Sequence, residues 1–141
     1  MNNTGSGQPT KQIQGMAPLL QVFDMSVALG FYRDVLGFEI VQASGEGDDV
    51  DWVLLKLNSI ELMLNTAYEK PGRPPGPDEQ RVSAHADTSL YFGHPDIDML
   101  YSYLLSKGLH LKQPQITGYG WKAIYLLDPD GYLLCFHWPV R

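Results

Sequence analysis

The stretch Trp121-Lys122-Ala123-Ile124-Tyr125-Leu126-Leu127-Asp128-Pro129-Asp130-Gly131-Tyr132-Leu133-Leu134-Cys135-Phe136-His137-Trp138 decides the fold of this chain. Two apolar, aromatic-rich runs flank Asp128-Pro129-Asp130-Gly131, where Pro fixes φ for a turn and Gly accepts φ > 0, so the segment reads as a β-hairpin. Upstream, Trp52 to Leu64 repeats the design: a Trp-led apolar strand, a polar turn at Asn58-Ser59, then a second apolar strand. A helical segment precedes each pair. Asp24 opens one that stops at Gly37, and Asp96 opens another that stops at Gly108. The chain therefore reads as two copies of one βαβββ unit, and such a repeat sets the architecture before any single motif does.

Working outward, Ala17 to Phe23 is expected as the first strand, with Pro18 near its start where a missing N–H is tolerated. Asp24 is suited to cap the first helix, along which Met25, Ala28, Leu29, Tyr32, Val35 and Leu36 fall at helical spacing, with Gly37 at the C′ position. Phe38 to Ala43, Val50 to Leu57 and Ile60 to Thr66 follow as strands, and Ser44 to Asp49 is an acidic, Gly-rich loop. Tyr68 to Arg81 holds four prolines and two glycines without periodicity, which predicts an extended linker or a flap over a ligand site. Ser83 to Phe92 is expected as the fifth strand. Ile97, Leu100, Tyr101, Leu104 and Leu105 then make the stripe of the second helix, and Leu109 to Lys112 a short sixth strand. Met1 to Gly15 is polar with little to bury and predicts a disordered tail. The expected organisation is a tail at 1–15 and one domain at 16–141, with module 1 at about 16–67, a linker at about 68–82 and module 2 at about 83–141.

Composition narrows the function. A net charge of -6 argues against nucleic acid, whose phosphates demand clustered Lys and Arg, and mildly favours a neutral or cationic small partner. No apolar run approaches a membrane span. The single cysteine excludes an intrachain disulfide and fits a reducing compartment, and the N-terminus lacks a basic-then-apolar signal pattern, so the cytoplasm is the expected location.

Phe31-Tyr32-Arg33-Asp34-Val35-Leu36-Gly37-Phe38, followed far downstream by Asp128-Pro129-Asp130-Gly131, resembles the vicinal oxygen chelate superfamily. That group contains glyoxalase I, extradiol dioxygenases, fosfomycin-modifying enzymes and bleomycin resistance proteins. The resemblance runs from Met16 to Trp138 and implies an α+β fold of two βαβββ modules, whose curled mixed sheets form a cup with the ligand site inside. It also implies a homodimer, because family cups are often completed across a subunit interface.

Metal-dependent members place one inward ligand, typically His, Gln or Glu, on each of four strands. Spaced as in the family, those positions fall on Ala17, Glu61, Ser89 and Cys135. Alanine has no donor atom, and one good ligand is too few for a divalent site. His85, on the same expected strand as Ser89, would lie roughly 13 Å from it. His137 shares a face with Cys135 at about 7 Å, so Glu61, Cys135 and His137 form the one alternative metal set. The expectation is no metal cofactor.

The resemblance is strongest in character to the metal-free bleomycin resistance proteins, which sequester a cationic, aromatic antibiotic without altering it; Gly120-Trp121-Lys122 looks like their corresponding stretch. The leading expectation is a metal-independent binding protein for a hydrophobic or cationic small molecule, with Trp52, Glu61, Ser89, Tyr91, Tyr119, Trp121, Cys135 and His137 lining the cavity. Two alternatives stay open: a divalent-metal-dependent lyase or dioxygenase of the glyoxalase type, and a metal-free isomerase or lyase using Glu61 as base. Trp138, out of phase with Cys135, is expected to be plain core.

Overall fold

The computed structural model describes residues 7–140. The internal repeat takes the form of two four-stranded mixed sheets with one strand order. In the first, β1 (Leu19–Val22) runs parallel to β4 (Ile60–Thr66), which pairs antiparallel with β3 (Trp52–Leu57), which pairs with β2 (Glu39–Ala43). In the second, β5 (Ser89–Gly93) runs parallel to β8 (Leu133–Pro139), followed by β7 (Trp121–Leu127) and β6 (Gln115–Ile116). Both hairpins turn where expected, at Asn58 with φ 55° and at Gly131 with φ 89°.

Strand alternation divides each sheet into a helix-side face and an open face. Leu20, Val22, Val53, Leu55, Leu62 and Leu64 are buried on the first sheet, and Ile124, Leu126, Leu134 and Phe136 on the second; all join one core with the helices. The two modules are therefore a single packed body.

Four elements differ from the sequence expectation. The first helix is α1 (Met25–Leu29), capped by the Asp24 carboxylate on the N–H groups of Ser26 and Val27, and it continues into a π turn, Gly30–Val35. The wider turn lets consecutive residues face inward, so Phe31 joins Tyr32 in the core, while Val35 and Leu36 of the expected stripe are only half-buried. Part of the expected linker and strand at 68–92 is helical: α2 (Glu79–His85), capped by Asp78, carries His85, which is thus not on a strand with Ser89. The sixth strand lies at Gln115–Ile116 instead of 109–112, beyond Pro114, which has no N–H to give a ladder. Trp138 lies on the helix side, near the start of α3 (Ile97–Ser106), but is 43% exposed and not plain core. Of the expected tail, residues 1–6 lie outside the described residues, and Pro9–Gln12 closes one exposed 3-10 turn.

The modules are joined at the Asp128-Pro129-Asp130-Gly131 turn. β1 is an edge strand, and its outward N–H groups are taken up by the other module: Gln21 N–H donates to Tyr132 Oη at 3.0 Å, and Phe23 N–H to Asp130 Oδ1 at 2.7 Å. The Tyr32 hydroxyl donates to Asp128 Oδ2 at 2.5 Å, while Asp128 Oδ1 accepts the backbone N–H groups of Asp130 and Tyr132. Both carboxylates are 5% exposed. Burial pushes the Asp128 carboxyl upward, opposed by the Tyr32 hydroxyl, and pushes Asp130 up to about 6. The His85 ring stacks on Tyr132 and its Nδ1–H donates to the Asp130 carbonyl, so α2 straps the joint.

Candidate functional site

The open face of the second sheet carries most of the residues singled out from sequence. Register aligns Tyr91, Cys135 and Tyr125 in one cross-strand row, and Gly93, His137 and Ala123 in the next. His137 is thus flanked by two residues with no side chain beyond Cβ. Bulkier neighbours lean over it: the Trp121 ring lies 4.2 Å from the imidazole and Tyr91 5.1 Å, and Tyr119, in the turn before β7, sits 6.2 Å from Trp121. Tyr91 and Tyr119 are more than half exposed. Together the rings make a contiguous aromatic wall, with Tyr91 set edge-to-face on His137.

His137 Nδ1 is buried and has no hydrogen-bond partner among the described residues. A buried N–H without an acceptor costs more than a bare lone pair, so the proton belongs on Nε2, which becomes the donor of the ring. Cys135 is fully buried beneath the Tyr125 side chain in the same row; burial raises the thiol and pushes Tyr125 up to about 12. Ser89 is exposed at the far end of the wall, in register with Leu133. Tyr125 was missed by the sequence reading, although Trp121-Lys122-Ala123-Ile124-Tyr125 places it on the Trp121 face by simple alternation.

Trp52 and Glu61 stand on the other sheet's open face, and the chain does not bring them against the wall. Trp52 is in register with Asn65, and Glu61 with Lys56. Asn65 Nδ2 donates to Gln21 Oε1 at 3.4 Å, so this face carries an amide pair and the Glu61–Lys56 charges on either side of an apolar row, Leu19, Met63 and Leu54, where the other is aromatic.

The four positions at which the resemblance would place a metal do not fit one. Ala17 offers no donor, Ser89 a neutral hydroxyl, and Cys135 a buried thiol that burial holds against ionisation; Glu61 lies on a different sheet from Cys135 and His137. Among the described residues no three His, Cys, Asp or Glu side chains are grouped to hold an ion.

Residues 13–136 match the family model of the Glyoxalase/Bleomycin resistance protein/Dioxygenase superfamily. The chain belongs to that superfamily. Among solved structures it is similar to a bleomycin resistance determinant encoded on the transposon Tn5, at 23% identity and a TM-score of 0.67, covering 92% of this chain and 100% of that one. A bleomycin-binding protein complexed with bleomycin matches at 22% identity and a TM-score of 0.66 over 92% and 100%. A glyoxalase family protein from Enterococcus faecalis matches at 25% identity and a TM-score of 0.63 over 91% and 98%. These likenesses establish the fold. No curated protein is a significant sequence match. No helix among the described residues is long and apolar enough to cross a membrane.

Proposed function

We propose that this superfamily member binds a planar hydrophobic small molecule, neutral or cationic, on the aromatic wall of its second sheet, without a metal and without transforming it. The observation that carries this reading is the Trp121, His137 and Tyr91 cluster, open to solvent beside Tyr119 and Tyr125. Aromatic rings grouped this way favour stacking with another π system and attract cations by their faces, and His137 Nε2–H adds a donor for orientation. An exposed wall of this kind also favours a cover. We assign that role to the first sheet's open face in a second copy, which would bring its Trp52 and Glu61 over the ligand in a homodimer. Glu61 is then the carboxylate available to a cationic ligand, tempered by Lys56 beside it. The one cysteine, reduced and buried, suits the cytoplasm.

The test is a fluorescence titration in a Trp52→Phe, Trp138→Phe background, so that Trp121 alone reports. Bleomycin and the planar cation ethidium are the probes. Saturable quenching that survives a chelator and shifts to at least fivefold higher probe concentration in Tyr91→Ala, which keeps Trp121 as the reporter, supports the reading. Flat titrations with both probes, or quenching that requires added Ni²⁺ or Mn²⁺, would overturn it. Sedimentation equilibrium settles the dimer separately.

A further inference from the structure

We infer that the outer edge of β7 is a docking site for an extended acidic peptide, which adds as a strand to the second sheet. In the first sheet the equivalent edge is filled, because β2 pairs with β3 from Glu39↔Lys56 to Ala43↔Val53. In the second, β6 covers only Lys122 and Ala123. The chain at 109–114 makes no backbone hydrogen bond to 124–127. Pro114 cannot donate one, and Leu109 and Leu111 turn into the core, which draws this segment away from the sheet.

The backbone direction at that edge is fixed by its neighbours. Thr117 N–H donates to the Trp121 carbonyl, so odd-numbered residues of β7 point their polar groups toward β6. Asp128 N–H donates to the Tyr132 carbonyl on the opposite side, as the alternation requires. Tyr125 and Leu127 therefore aim N–H and C=O groups into a slot of about 440 Å³, lined by Lys112 and Gln113 on one side and by Ile124, Leu126 and Leu133 on the other. Unpaired strand edges of this kind are the recognition surface in strand addition, where the main chain gives affinity and the flanking pockets give selectivity.

The charge of the slot selects the occupant. No acidic residue lines it, and Lys112 and His110 make no hydrogen bond or ion pair among the described residues, in a chain whose net charge is -6. A second copy offers the same acid-free edge and so no carboxylate for Lys112. A strand with an acidic side chain beside Lys112 and apolar side chains toward Ile124 and Leu126 satisfies all three features. This site borders the aromatic wall at Tyr125, whose backbone it uses, and does not rest on the proposed ligand.

The experiment titrates a capped heptapeptide alternating valine and glutamate into ¹⁵N-labelled protein. Saturating shifts centred on the Tyr125 and Leu127 amides are expected. Affinity should fall at least tenfold in Lys112→Glu, a change on an exposed segment, and the valine–lysine peptide should bind that variant better than the wild type. A peptide with N-methyl groups on the paired amides should not bind. Leu127→Pro, checked for folding by circular dichroism, removes one edge donor and should abolish binding. No shift at millimolar peptide overturns the proposal. So does equal binding of the N-methylated peptide, which would make the slot a site for an anionic side chain, or sedimentation showing that the edge joins two copies.

Discussion

Strand pairing aligns the two sheets residue by residue. Trp52 corresponds to Trp121, Leu54 to Ala123, Lys56 to Tyr125, Glu61 to Cys135 and Met63 to His137. On the helix side most equivalents are aliphatic or aromatic and packed in one core, with Lys122, paired to Asp98, and the 43% exposed Trp138 as the exceptions on the second sheet. On the open side they diverge. The row Leu19, Met63 and Leu54 is filled with aliphatic side chains, whereas the row Gly93, His137 and Ala123 leaves the imidazole between two residues of little bulk. The difference teaches that the helix-side faces and the joint between modules hold the repeat together, while the open faces are where a duplicated scaffold acquired distinct chemistry.

The sharpest way to break this division is to disable the joint. Asp128→Ala leaves the Tyr32 hydroxyl and two backbone N–H groups without their acceptor, and a loss of about 4 kcal/mol in urea unfolding is expected. Gly131→Ala comes next. Its φ is +89°, and an added Cβ would strike the backbone carbonyl of Val82 on α2, so about 3 kcal/mol should be lost. Gly120→Ala, with φ +83° and open space around it, should cost only about 1 kcal/mol. Equal costs at the two glycines would dismiss the strap.

The joint also has a pH signature. The Asp130 carboxyl, raised by burial to about 6, binds its proton more tightly folded than unfolded. Its contribution to stability is therefore full below the unfolded value near 4 and fades as pH rises through 6. Asp130→Asn keeps an oxygen for Phe23 N–H and should raise stability at pH 7 by on the order of 2 kcal/mol while flattening the fall between pH 4 and 7. A steeper fall in the variant would reverse the assignment.

Two substitutions on the open face should act chiefly on binding. Trp121→Ala should weaken the planar ligand about tenfold, near 1.4 kcal/mol, and leave the unfolding midpoint almost unchanged. Ala123→Leu, which copies Leu54 into the His137 row at a fully buried position, should weaken it by a smaller factor of about five and cost about 1 kcal/mol or more of stability by overpacking. Loss of stability in Trp121→Ala comparable to Asp128→Ala would erase the distinction between the faces.

Much of this was legible in the sequence because alternation and caps are local. The hairpins, the Asp24 and Asp96 caps and the shared face of Cys135 and His137 all follow from spacing along one strand or helix. What escaped depends on groups distant in the chain. Phe31 turns inward because the π turn offers it a place in a core built from both modules. α2 was hidden because four prolines dominate its approach, although Asp78 followed by Glu79-Gln80-Arg81 is a cap with helix formers behind it. The family motif at 128–131 was read as a turn, and nothing local announces that its two carboxylates reach back to Tyr32 and Phe23.

That long reach matters during synthesis. β1 receives its caps at Gln21 and Phe23 from residues 111 and 107 positions later. At about 5 to 20 residues per second, the first module must wait several seconds on the ribosome with that strand edge bare. Throughout that interval the nascent chain offers a template to any neighbouring strand, so its yield should depend on translation speed and on chaperones that shield emerging edges.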